Sequence, residues 1–264
     1  MNNFCRFKGK TTWIVGADTV IGETVAKRFF YEGSSLLLSG VTNPPDGIMP
    51  SEEQFIICCP AIPVTEEMSF AQTDLVENVD ILIAAVRKVE RNSIRDCSLE
   101  QFDQVIEANL FSPWCATRAV VRKIGKSGKG AILYISSIHG SKPTGSTFSY
   151  SVACGGLNML MREASQDLGR LNIRTNLLQV GPLPGDEDLF ISELSGVYHE
   201  AMEKVPLQRF CEPDEIASAA GFFCSDESSF CNGSILMMDG GFTGYYVDGD
   251  SHERWDFSFA GEEV

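Results

Sequence analysis

In the stretch YSVAC (150–154), Tyr150 and Cys154 stand one helical turn apart, and Ser137 lies thirteen residues before the tyrosine. A phenol can give or take a proton in a reaction at a neighbouring oxygen. Its free pKa, about 10, is roughly three units from neutral operation. A cation about 4 Å away is worth on the order of 4 kcal/mol at an effective dielectric near 20, enough to cover that gap. A neutral thiol at Cys154 supplies no such charge, and a thiolate would push the phenol higher. No histidine lies near Cys154 in sequence to activate it, and its neighbours Ala153, Gly155 and Gly156 are small. Cys154 therefore reads as buried filler rather than as a nucleophile. His139, two residues after Ser137, reads as a loop or surface histidine.

These residues must be held by elements whose pattern is plain along most of the chain. The predicted strands are TTWIV (11–15), SLLLS (35–39), QFIIC (54–58), DILIAA (80–85), AILYIS (131–136), IRTNLLQV (173–180) and SILMMD (234–239). Helical segments near 20–32, 98–124, 148–169 and 213–225 fall between them. Strands that alternate with helices and read as continuous apolar runs imply an α/β fold, a parallel sheet covered on both faces. Ser98 with Gln101 forms a capping box, and Pro213 suits a first helical turn. The stretch 42–78 gives no clear helix. No linker or repeat interrupts the pattern, so residues 1–243 read as one domain, followed by an acidic, aromatic tail at 244–264. Residues 181–206, long, acidic and punctuated by Gly and Pro, read as a lid over a binding site.

Composition narrows the partners. With 36 acidic and 21 basic residues among 264, the formal net charge of −15 opposes nucleic acid and anionic lipid. Nine dispersed cysteines and three histidines give no metal-ligand spacing and suit a reducing, cytoplasmic setting. The N-terminus carries no long apolar run, so neither a signal peptide nor a membrane span is expected.

Taken together, VGADTVIG (15–22), DILIAAV (80–86), EANLFSPW (107–114), ILYISSIHG (132–140), YSVAC (150–154), NIRTNLLQVGP (172–182) and the run from Pro206 to Gly241 resemble the short-chain dehydrogenase/reductase family up to about Thr243. The resemblance implies a single Rossmann-like, doubly wound parallel sheet with helices on both faces. It implies that Tyr150 is the proton donor or acceptor, that Ser137 holds the substrate oxygen, and that Asn109 supports a water chain. It also implies a lysine at position 154, binding the nicotinamide ribose and lowering the tyrosine pKa, where this chain has Cys154.

Other departures fall around the same groove. The family's glycine loop keeps Gly16 and Gly22 but has Val20 between them. A β-branched residue suits a positive φ poorly and would project toward the phosphates, so the two glycines are expected to serve strand–helix packing. Ser39-Gly40-Val41 offers neither the acidic residue that would hold ribose hydroxyls nor a basic one for a 2′-phosphate. Pro60-Ala61 replaces the adenine-side pair. The N-N-A-G loop becomes Ala84-Ala85-Val86-Arg87, which removes the amides that would pin it. The family's P-G is Val180-Gly181, and a cofactor-contacting Thr aligns with Gly185.

The resemblance with these losses implies a non-catalytic subunit that binds no cofactor and supports a catalytic homologue carrying NAD. The mixed dimer or tetramer would form through helices 98–124 and 150–169 and the tail 244–264. The losses resemble those of inactive subunits of heteromeric dehydrogenases acting on aromatic hydroxyacyl-CoA in anaerobic toluene breakdown. One alternative is an active oxidoreductase using Ser137 and Tyr150 with Arg87, His139 or Lys142 as helper. Another is a ligand sensor, in which Asp186, Glu187 and Asp188 would oppose an anionic ligand.

Overall fold

The computed structural model describes residues 5–124, 128–186 and 205–244. Seven parallel strands form a single sheet in the order β3-β2-β1-β4-β5-β6-β7. They are β1 (Thr11–Val15), β2 (Ser35–Ser39), β3 (Ile56–Cys59), β4 (Ile81–Ala84), β5 (Gly130–Ser137), β6 (Ile173–Val180) and β7 (Ile235–Met238). The helices are α1 (Val20–Tyr31), α2 (Glu66–Thr73), α3 (Leu99–Ile106), α4 (Ser112–Lys123), α5 (Phe148–Gly169) and α6 (Pro213–Cys224).

Side-chain alternation sends each strand into two cores. On one face Ile14, Leu36, Leu38, Ile81 and Ile83 meet Val25 and Phe29 of α1 and Ile216 and Phe223 of α6. On the other, Trp13, Val15, Leu37, Leu82 and Ala84 meet Ala116 and Val120 of α4 and Leu157 and Met161 of α5. This is the doubly wound sheet expected from the strand–helix alternation. Strand order reverses between β1 and β4, so their carboxyl ends open a crevice, the usual ligand position in such sheets.

Three expectations need correction. The segment 98–124 is not one helix. The Ser98–Gln101 capping box starts α3, a π-helical turn occupies Glu107–Phe111, and α4 resumes with Pro113 in its first turn. Secondly, α2 lies in the stretch that gave no helical signal. Thr65 caps it, and its Gln72 is buried to accept from Ser39 Oγ (2.6 Å) and donate to the Ala61 carbonyl (2.8 Å). The helix docks through hydrogen bonds, leaving little apolar period to read. Lastly, β3 starts two residues later than QFIIC suggests, because the Gln54 carbonyl accepts from the Ser51 amide (2.8 Å) and the Phe55 amide donates to Ser35 Oγ (3.2 Å) rather than to a neighbouring strand's backbone.

Of the lid-like segment, only residues 181–186 and 205–206 are described; the rest of it and tail residues 245–264 lie outside the described residues. Among the described residues no helix is long and apolar enough to cross a membrane. The nine cysteines are free thiols.

Candidate active site

The strands deliver the sequence-selected residues to one end of the sheet. Gly16 follows β1, Arg87 follows β4, Ser137 ends β5, and Asp186 closes a turn after β6. Gly16 has φ +90° and lies so close to the next loop that a Cβ would stand 2.7 Å from the Ala85 carbonyl carbon. A Cβ on Gly22 would collide with the Gly16 carbonyl oxygen. Both glycines are therefore demanded by packing between loop and helix, whatever else the loop binds. Val20 departs from expectation. It has no positive φ, serves as the first residue of α1, and is 67% exposed at the groove mouth. The loop is crowded there but not strained.

The start of α1 is partly satisfied from within. Thr19 Oγ1 accepts from the Gly22 amide (2.9 Å) and donates to the Gly16 carbonyl (2.9 Å). Asp18 reaches the end of β2, so that a Cβ on Gly40 would stand 2.6 Å from its carboxylate oxygen. A carboxylate thus stands at the corner where Ser39-Gly40-Val41 offers none. Sequence reading missed it, because the acid comes from the glycine loop rather than from the strand end.

Asn109 sits in the π-helical turn and is buried. Its Oδ1 accepts from the Lys88 amide (3.0 Å), while its Nδ2 donates to the carbonyls of Lys88 (2.8 Å) and Val105 (2.9 Å). The loop after β4 is therefore pinned from outside, contrary to the expectation that losing its own amides frees it. The pin fixes the residue before Lys88, which is Arg87.

Arg87 turns into the pocket and pairs with Asp186 at 2.6 Å (Nη2–Oδ2). Asp186 is 4% exposed, and its Oδ2 also accepts from the Leu183 amide at 3.2 Å. Asp186, expected in an acidic lid that repels anions, is instead neutralised by this guanidinium. Arg87 also faces the Tyr150 hydroxyl closely enough to interact with it.

Tyr150 and Cys154 project from one face of α5 into a small apolar cluster with Val105 and Ala153. Burial, reinforced by the Cys154 thiol, pushes the Tyr150 phenol well above its ordinary range, and the opposing pull of Arg87 does not offset this. Burial likewise pushes up the Cys154 thiol, against weaker support from Ser136 and Tyr150. Both groups are neutral at pH 7. His139 is not on the surface. It is 2% exposed in a short 3-10 turn, with Nδ1 3.0 Å from Ser137 Oγ and its ring edge-on to Tyr150 at 5.8 Å. Burial and then the Arg87 charge lower its pKa to about 4. Lys142, the remaining candidate helper, is exposed.

Ser137, Tyr150, Arg87, Ile21 and Ala85 line a common pocket, whose free space holds about one water molecule. As arranged here, with Arg87 beside Tyr150, the pocket is smaller than a nicotinamide ring. Among the described residues no cluster of three acidic, histidine or cysteine side chains could hold a metal.

Comparison with known proteins gives a consistent picture. The family model described as enoyl-(acyl carrier protein) reductase matches residues 16–243. The chain is 31% identical over 251 residues to 3-oxoacyl-(acyl-carrier-protein) reductase FabG of Chlamydia trachomatis, covering 88% of this chain and 96% of that protein. It is 26% identical to glucose 1-dehydrogenase 2 of Bacillus subtilis, over 90% of this chain and 96% of the other. Ligand-free aldohexose dehydrogenase of Thermoplasma acidophilum superposes with a TM-score of 0.79 at 23% identity, over 93% of this chain and 98% of that one.

Proposed function

The chain belongs to the short-chain dehydrogenase/reductase family, and we propose that it is a non-catalytic member, binding no nicotinamide cofactor itself, that assembles with and supports a catalytic NAD-dependent homologue. The observation that carries this reading is the Arg87–Asp186 ion pair next to Tyr150, where the pocket shared by Arg87, Ser137 and Tyr150 has room for about one water molecule. Cys154 supports it. At this position a buried neutral thiol gives Tyr150 no charge, and the phenol is held in its protonated form.

The surface proposed to carry assembly presents exposed apolar side chains. Leu99, Phe111, Trp114, Val152 and Met159 are exposed on α3, the π-helical turn, α4 and α5. Trp114 is flanked by Phe111 (ring centroids 6.4 Å apart) and covered by the Arg118 guanidinium at 5.4 Å. Exposed aromatics beside arginine suit an interface core. In a two-fold assembly a homologous chain can take the other half of such a surface; tail 244–264 is proposed to extend it. As to substrate, the losses resemble those of the inactive subunit of 2-(hydroxy(phenyl)methyl)succinyl-CoA dehydrogenase of anaerobic toluene breakdown. An aromatic hydroxyacyl-CoA oxidised by the partner is accordingly proposed. Native purification from the source organism tests the assembly: a stable complex with a second dehydrogenase chain is expected, and a pure homo-oligomer would sink the reading.

One observation favours a second reading. Arg87 is a cation beside Tyr150, the charge that Cys154 cannot provide. An active oxidoreductase using that pair requires Asp186 to release Arg87. Turnover with any nicotinamide cofactor that disappears in Tyr150→Phe would establish this alternative.

A further inference from the structure

The ion pair that closes the pocket also describes a ligand. We propose that Arg87, with the Tyr150 hydroxyl beside it, is a receptor for the carboxylate of a small acid, held shut by Asp186 acting as an internal stand-in for that carboxylate. The inference goes beyond a non-catalytic role, and acetate binding measured without nucleotide tests it separately from that reading.

Four features carry it. The Asn109–Lys88 backbone clamp fixes the chain next to Arg87, so the stem of the cation is anchored by the framework while its guanidinium reaches Asp186 and Tyr150. The internal carboxylate engages the guanidinium through one oxygen, Oδ2, which it also shares with the Leu183 amide. A planar guanidinium can instead take two oxygens of one carboxylate in parallel, so an external acid can improve on this contact. The other polar groups are disposed to favour an anion. Tyr150 is a neutral hydroxyl next to Arg87, and His139 is neutral at pH 7, so no buried anion other than Asp186 faces the guanidinium from Ser137, His139, Tyr150 or Cys154. Finally, the pocket has room for about one water, so a ligand enters by taking the place of the Asp186 carboxylate rather than by filling a void. Asp186 ends a single turn closed by its own amide on the Leu183 carbonyl (3.0 Å), a short tether that can release it. The lining at Ile21, Ala85, Val180 and Leu183 is apolar and suits the hydrocarbon part of the acid.

An internal carboxylate competes as a tethered ligand whose effective concentration is in the millimolar range or above. Removing its charge should therefore expose the site. Wild type, Asp186→Asn and the double variant Asp186→Asn with Arg87→Met are titrated with sodium acetate by calorimetry, with sodium chloride holding ionic strength constant. Asp186→Asn is expected to bind acetate at least about tenfold more tightly than wild type, and the double variant to show no saturable binding. Equal affinity in wild type and Asp186→Asn, or saturable binding that survives loss of Arg87, would overturn the proposal. Asp186→Ser is carried in parallel and read by the same criteria should the asparagine variant fail to fold.

Discussion

Burying an imidazole between Ser137 and Tyr150, within the field of Arg87, holds His139 at a pKa of about 4 against an ordinary 6.5. Because the folded pKa is the lower one, the unfolded chain binds more protons between these values. Stability is thus full above about pH 6.5 and falls as pH drops toward about 4, by up to about 3 kcal/mol from this group alone. Urea unfolding at pH 7 and pH 4.5 should show this loss in wild type and a smaller one in His139→Gln. A second expectation concerns Cys154. Cys154→Lys should give no dehydrogenase turnover with NAD or NADP, because the new ammonium would face Arg87 as a like charge while the Arg87–Asp186 pair still fills the pocket. Measurable turnover by that single variant would show that only the lysine was missing. At this scale the sequence was half legible. Tyr150 and Cys154 are fixed relative to each other by helical spacing, so the missing charge could be read directly. Arg87 and Asp186 are 99 residues apart, and only the fold brings them together. The burial of His139, likewise, follows from how its turn packs and not from its neighbours in sequence.

Elements carry the positioning. Asn109 uses both ends of its amide on the Lys88 backbone and bonds back to Val105 across the π-helical turn. Asn109→Ala would leave those buried groups without partners, each worth about 1–3 kcal/mol. A loss of roughly 2–3 kcal/mol in denaturant unfolding is expected, together with altered Arg87 side-chain NMR shifts. Unchanged Arg87 shifts would mean that Asn109 does not position it. The strands were readable because a sheet covered on both faces shows as apolar runs, and α5 lies where its amphipathic pattern placed it, at Phe148–Gly169. By contrast, α2 docks through Gln72 and was invisible to any apolar period. The break between α3 and α4 was equally hidden, since its residues remain helical on either side of the π-helical turn.

Across the whole molecule, the framework of an oxidoreductase family is retained while the groove at the β1/β4 crevice is crowded by the chain's own side chains. Val20 is exposed at the start of α1, Asp18 reaches the end of β2, and Arg87, paired with Asp186, lines the pocket. If assembly is the retained role, Trp114→Ala should weaken association with the catalytic partner by at least about tenfold, as loss of an aromatic anchor does, with little change in the melting temperature of the isolated chain. Equal association by the variant would place the interface elsewhere. The most direct test of the central claim is calorimetric titration of the purified, folded chain with NADH and then NADPH to millimolar concentration. No saturable heat with either nucleotide is expected on the proposed reading, because Arg87, paired with Asp186, leaves the pocket beside Tyr150 almost no free space. Saturable binding of one nucleotide would contradict the account and put the active-enzyme reading in its place.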